Sequence, residues 1–350
     1  MNPAFWKNKR VFLTGHTGFK GAWLSLWLAS MGANVTGFAL PPHTDPSLYE
    51  DIKKDISIKS IIGDVRNLKE MQAAVKASDA EIVIHMAAQA LVREGYENPV
   101  STYETNVMGT ANLLESCRKA DNVKSILVVT TDKCYENNEW VWGYRESEPM
   151  GGYDPYSNSK GCAELVVSAY RRSYGLNIAS ARAGNVIGGG DWSKDRLLPD
   201  VIRAILSGRK IELRNPNAIR PWQHVLDCLY GYLTLCEALY ERGQAYAEGF
   251  NFGPFDSNAK SVSWVLNCFT NYMGVDSIYE QQPGVHPHEA HYLKLDISKA
   301  MNMLGWQPIW DADKSIQMTA NWLSKSQGGE NVSKICMCQI QEYMEQRCCK

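Results

Sequence analysis

The run Gly15-His16-Thr17-Gly18-Phe19-Lys20-Gly21 constrains this chain more than any other feature in it. It follows the apolar segment Val11-Phe12-Leu13-Thr14 directly and opens a stretch of helical character. A strand that enters a helix through three glycines leaves the helix's first N–H groups and its positive dipole end exposed at the strand tip, with no side chains to hold a bound group away. That geometry suits a pyrophosphate, so a dinucleotide is the expected ligand. Gly15, Thr17, Gly18, Phe19 and Gly21 are expected to approach it.

Downstream, short apolar runs alternate with longer amphipathic ones. Asn34 to Phe38, Ile82 to Met86, Ile126 to Thr130 and Ile178 to Arg182 read as buried strands. Asn67 to Lys76, Pro99 to Lys119 and Tyr156 to Tyr174 carry apolar residues three and four apart and read as helices. The expected fold class is α/β, a Rossmann-type doubly wound parallel sheet followed by a smaller, mixed substrate-binding region. Regularity weakens beyond Gly184, through Gly188-Gly189-Gly190, Pro199, Pro216, Pro221 and a Pro/His-rich stretch from Pro283 to His291. The expected division is a dinucleotide-binding domain over 1–184 and a substrate region over 185–219 and 254–350. Residues near 220–253 are expected to return to the main sheet.

A net charge of -2 on 350 residues gives no basic field for nucleic acid, and none is expected as a partner. Gly21 to Thr44 contains no charged residue, yet Gly32, Asn34, Pro41 and Pro42 break any single spanning helix, so no membrane segment is expected. With no signal-peptide core at the start, the ten cysteines read as reduced thiols of a cytoplasmic protein. Cys336, Cys338, Cys348 and Cys349 lack Cys-x-x-Cys spacing and read as exposed tail thiols. His286, His288, Glu289 and His291 lie among prolines without the spacing of a His-Glu-x-x-His helix, so no metal site is expected.

The chemistry is expected at Tyr156 and Lys160. Four-residue spacing puts phenol and ammonium on one helix face, and a neighbouring cation favours the phenolate of a group whose ordinary pKa is about 10. Tyr49 and Lys53 share the spacing but lie in a charged loop after two prolines. Only Tyr156 follows a buried strand ending Thr130-Thr131-Asp132. The alternative is an ordinary exposed helical pair.

The glycine spacing, Gly63-Asp64-Val65, Ala87-Ala88-Gln89, Asn106-Val107-Met108-Gly109-Thr110 and the Tyr156/Lys160 pair occur in an order that resembles the extended short-chain dehydrogenase/reductase family, which includes nucleotide-sugar epimerases and dehydratases. The resemblance implies Asp64 and Val65 at the adenine, and Ala87, Ala88, Gln89, Asn106, Thr130, Tyr156 and Lys160 along the rest of the cofactor. An acidic residue about 20 positions past the glycines, which would hold a ribose hydroxyl, is missing, and Phe38-Ala39-Leu40-Pro41 stands there. No Lys or Arg lies between Lys20 and Lys53 to meet a 2′-phosphate, so NAD is expected rather than NADP.

Thr131-Asp132-Lys133 resembles the Thr-Asp-Glu segment of sugar 4,6-dehydratases. Its surroundings, Cys134 to Trp140 and Trp142 to Glu146, resemble the CDP-glucose branch, where lysine is expected at 133. The implied reaction is C4 oxidation with Tyr156 as base, loss of water across C5 and C6 with Asp132 as acid, and hydride return to C6. Lys133 is implied either as the C5 base or as a cation stabilising the enolate. Asn185, Arg196, Leu198, Arg220, Trp222 and His288 are implied at the nucleotide-sugar substrate, with Arg220 suited to bidentate pyrophosphate binding. A nucleotide-hexose 4-epimerase would share the Tyr/Lys pair without needing Asp132, and a non-catalytic nicotinamide-sensing protein would need neither. Pairing of relatives through the Pro99–Lys119 and Tyr156–Tyr174 segments implies a homodimer.

Overall fold

In a computed structural model, which describes residues 1–213, 215–276, 279–281 and 292–348, seven parallel strands form one sheet. Six of them are β1 (Arg10–Thr14), β2 (Asn34–Ala39), β3 (Lys59–Ile62), β4 (Ile82–His85), β5 (Ser125–Val129) and β6 (Ile178–Ala183). The seventh, Gly249–Phe252, pairs with β6 in parallel. The order is seventh strand-β6-β5-β4-β1-β2-β3, so the chain reverses direction across the sheet between β1 and β4. Doubly wound sheets bind their ligands at such a switch point.

The strands in the middle are apolar on both faces because helices cover both. In β5 all five residues, Ser125-Ile126-Leu127-Val128-Val129, are buried. β3 was not expected from the sequence, and it sits at the sheet edge with Ile62 exposed. It is held partly through His16. That imidazole lies against Gly37 of β2, meets Tyr49 edge-on at 5.1 Å and places Nε2 2.7 Å from the Ser60 hydroxyl of β3. Burial lowers His16 to about 4, so it stays neutral in that role. Tyr49, expected in a loop, belongs to the short Leu48–Ile52 helix and is buried, while Lys53 pairs with Glu50.

The uncharged run after Gly21 is accounted for by burial on every side. Gly21 through Leu28 of the Phe19–Ser30 helix are all buried, and the chain then passes directly into β2. The Val332–Cys348 helix covers that helix, with Trp27 and Tyr343 meeting at 6.1 Å. The cysteine-rich end is therefore not an exposed tail throughout. Cys336 is buried and its sulfur accepts the Trp322 indole N–H at 3.2 Å, whereas Cys338 and Cys348 are exposed. Among the described residues no helix is long and apolar enough to cross a membrane, and no group of His, Cys, Asp and Glu is arranged to hold a metal.

The helix expected over Pro99 to Lys119 is interrupted. An α-helical turn at Pro99–Tyr103 passes through a π-helical turn at Glu104–Met108 before the Gly109–Arg118 helix. Single π turns re-aim one side chain out of the regular helical register. Here that side chain is Asn106. The helix after Asp154 is continuous from Pro155 to Tyr174, with the Asp154 carboxylate accepting the Ser157 N–H and Gly175 closing it in the left-handed region.

Candidate active site

The glycine turn meets the end of β4 at the switch point. Gly15 has φ +77°, and a Cβ built on it would lie 2.7 Å from the Ala87 nitrogen. A Cβ on Gly21 would lie 2.0 Å from the Gly15 carbonyl oxygen, so both positions admit only glycine. Gly18 is the N-cap of the Phe19–Ser30 helix and no side chain caps it. Thr17 donates to the Leu40 carbonyl at 2.8 Å and ties the turn to the end of β2. The Thr14 hydroxyl accepts the Met86 and Ala87 N–H groups, each at 3.1 Å, and lies 2.7 Å from His85 Nδ1. The crevice is held by the Thr14 and Thr17 hydroxyls bonding to backbone groups.

A cavity of about 420 Å³ opens at the C-terminal ends of β4, β5 and β6. Tyr156 and Lys160 line it, and so do Thr130, Thr131, Asp132 and Lys133, together with Ala88 from beside the glycine turn. Asn185, Arg196, Leu198, Arg220 and Trp222, expected at a substrate, line it as well. Expected residues from well-separated stretches of sequence thus share one cavity. His288 lies outside the described residues.

The phenol and the ammonium do not simply offset one another. Burial pushes Tyr156 up to about 12, opposed by the Thr131 hydroxyl and the Arg196 charge. Burial lowers Lys160 to about 8, and the charge of Lys20 acts in the same direction. Lys160 donates to the Val129 carbonyl at 3.4 Å. Burial also raises Asp132, against the pull of Lys133 and of the Thr131 hydroxyl, which donates to its carboxylate at 2.9 Å. A carboxyl whose pKa is raised by burial gives up a proton to a leaving group at higher pH than an exposed one does.

Other expected residues brace the site. Asn106, aimed by the π turn, accepts the Gln89 N–H at 2.9 Å and donates to the Gln89 carbonyl at 3.0 Å and to Ser159 at 2.8 Å. It thereby ties the loop after β4 to the Tyr156 helix. Asp64 forms a bidentate pair with Arg66, the shortest contact being 2.6 Å, and Val65 packs against Gly109. In the substrate wall, Arg196 pairs with Asp191 at 3.1 Å, and the Trp222 indole donates to the Lys260 carbonyl at 3.1 Å.

Among the cavity residues given no role from the sequence are Lys20, Arg93 and Asp195. Lys20 donates to Tyr232 at 3.4 Å, and burial lowers its pKa. Its one signal is that it stands as a lone charge at the head of an otherwise apolar helix. Arg93 reaches Asp195 at 2.9 Å across the mouth, and Asp195 and Asp191 sit on the loop after the glycine triplet.

The sequence profile of the GDP-mannose 4,6-dehydratase family matches residues 12–319. The chain belongs to that family. Over 349 residues it is 50% identical to CDP-glucose 4,6-dehydratase of Salmonella typhimurium, with 97% of each chain covered. UDP-glucuronate 4-epimerase 1 of Arabidopsis thaliana is 26% identical, over 93% of this chain and 79% of that one. Among solved structures, dTDP-glucose 4,6-dehydratase from Streptomyces venezuelae, with NAD bound, superposes with a TM-score of 0.80 at 23% identity, covering 91% of this chain and 98% of that one. The structural likeness establishes the shared fold of this dehydratase family.

Proposed function

We propose that the protein dehydrates CDP-D-glucose to CDP-4-keto-6-deoxy-D-glucose with NAD as a recycled cofactor. The reading is carried by one observation: the Tyr156 phenol, the Lys160 amine and the Asp132 carboxyl line a single cavity, in a chain 50% identical to CDP-glucose 4,6-dehydratase of Salmonella typhimurium. The cradle at Gly15 and Gly21, which any side chain would fill, fits a pyrophosphate. Gly15, Thr17, Gly18, Phe19 and Gly21 hold that pyrophosphate in this reading, with Asp64 and Val65 toward the adenine and Ala87, Ala88 and Thr130 toward the nicotinamide. Gln89 and Asn106 hold the loop in place. When bound, NAD would supply the redox chemistry as a hydride acceptor and donor.

The chain's own groups manage the protons. Tyr156 takes the proton of the C4 hydroxyl, and the ammonium of Lys160, one helical turn away, stabilises the phenolate. The 4-ketone acidifies the C5 hydrogen. Asp132 protonates the departing C6 hydroxyl, and Lys133, its neighbour on the cavity wall, either receives the C5 proton as the neutral amine or stabilises the enolate as the ammonium. Arg196 and Arg220 face the diphosphate from the substrate wall. A 4-epimerase has no need of an acid at the position of Asp132, which favours dehydration.

The exposed apolar residues Val100, Met108 and Leu165, on the helical segments named above, support pairing as a homodimer. A sedimentation mass of twice 39.3 kDa is expected. For the substrate, turnover is expected to be fastest with CDP-glucose among the CDP, dTDP and UDP sugars. Preference for either of the other two overturns the nucleotide assignment.

A further inference from the structure

We propose that Gly184 is a positioning residue for the acid, leaving room against β6 for the carboxyl of Asp132 in the one orientation from which it can reach the leaving hydroxyl. The inference rests on the dehydration reading above and adds to it a residue of the cavity wall that itself carries no proton, acting only through Asp132.

The glycines of this protein serve different ends. Gly15 and Gly190 have φ of +77° and +80°, where an L side chain is strained whatever the space. Gly184, at the end of β6, has no such backbone requirement, since its φ is not in the left-handed region. Space alone is at stake. The three heavy atoms nearest to a Cβ built there all belong to Asp132: Oδ2 at 2.5 Å, Cγ at 3.2 Å and Cβ at 3.8 Å.

The carboxyl has little freedom to yield. Asp132 is 3% exposed, is short, and opens the tight Asp132–Cys134 turn. Its other oxygen accepts the Thr131 hydroxyl at 2.9 Å, and Thr131 also accepts the Lys133 N–H at 3.4 Å. Ordinary contact between such atoms begins at about 3.5 Å, so a methyl group displaces the carboxyl by on the order of 1 Å. Misplacement on that scale costs about a hundredfold in rate. The step affected is the one in which the carboxyl proton passes to O6 as the C6–O6 bond breaks and water leaves. Oxygen at C6 needs that proton to depart; fluoride does not.

The test is Gly184→Ala, assayed with CDP-glucose and with its 6-deoxy-6-fluoro analogue, alone and in an Asp132→Ala background. With CDP-glucose, kcat is expected to fall about a hundredfold while KM stays within about threefold. With the fluoro sugar the deficit should nearly vanish, and in the Asp132→Ala background, where the methyl has room, it should add nothing. Equal loss with both sugars, unaltered turnover, or a full further loss in the Asp132→Ala background overturns the assignment. If Gly184→Ala alone does not fold, folding of the double variant supports the steric account and its failure to fold refutes it. Absence of water loss by the unaltered protein is a separate result, which removes the dehydration reading and the glycine's role with it.

Discussion

Arg182→Met is the substitution whose consequence follows most directly from the packing behind the cavity. Arg182 in β6 and Glu164 in the Tyr156 helix form an ion pair at 2.9 Å with side chains only 6% and 3% exposed. Glu164 also accepts the hydroxyls of Thr130 at 2.5 Å and Ser180 at 2.7 Å, and Arg182 donates to Tyr135 at 2.6 Å. One pair therefore joins β5, β6, the helix bearing Lys160 and the turn after Asp132. Removing one partner of a buried pair strands the other charge, at a cost of about 3–5 kcal/mol. With an unfolding entropy near 2.1 cal/mol/K per residue, that corresponds to a Tm lowered by roughly 4–7 °C for a chain of this length.

The pH dependence has a definite sign. In the native pair Glu164 is lowered by Arg182 and the hydroxyls despite burial, so its contribution is present above the ordinary carboxylate range and lost as pH falls through the lowered value. Without Arg182, burial raises the carboxyl, and protonation relieves the variant at low pH. Scanning calorimetry should find a larger deficit at pH 8 than at pH 5, and Glu164→Gln added to Arg182→Met should recover part of it. A Tm within about 1 °C of the parent, against the roughly 4–7 °C expected, or an identical deficit at both pH values, refutes this account of the pair.

Two further outcomes follow from the same geometry. Lys133→Met should abolish solvent-deuterium incorporation at C5, with kcat down by about a hundredfold or more; retained exchange assigns the base elsewhere. Asp227, buried beneath the Val332–Cys348 helix, accepts Ile309 N–H at 2.9 Å and Tyr343 OH at 2.8 Å, and burial raises it to about 6. Because the folded state then binds the proton more tightly, this group's contribution falls as pH rises from about 4 to above 6, by about 3 kcal/mol in all. The stability of Asp227→Asn relative to the parent should increase over that interval in denaturant titrations, and a constant difference contradicts the assignment.

What could be read from the sequence was whatever depends on neighbours along the chain. β5 announces itself because burial on both faces demands an unbroken apolar run, and Tyr156 and Lys160 because one helical turn separates them. β3 does not, since an edge strand of four residues with Ile62 exposed carries no alternation to detect. The π turn at Asn106 leaves the apolar spacing nearly unchanged while re-aiming one side chain, so only coordinates reveal it. Lys20 stands as a lone charge at the head of an apolar helix, and only the fold shows it tucked beside Tyr232. The Glu164–Arg182 pair joins a helix to a strand, and the space at Gly184 belongs to a residue on another strand's turn. Such long-range complementarity has no local signature.

The central claim is that hydrogen removed from C4 of the sugar returns at C6 after the C6 hydroxyl has left. CDP-glucose deuterated at C4, incubated with the protein and NAD, should yield a product lighter by one water and carrying deuterium in its C6 methyl group. A product of unchanged mass with deuterium still at C4 would mark an epimerase and contradict the account.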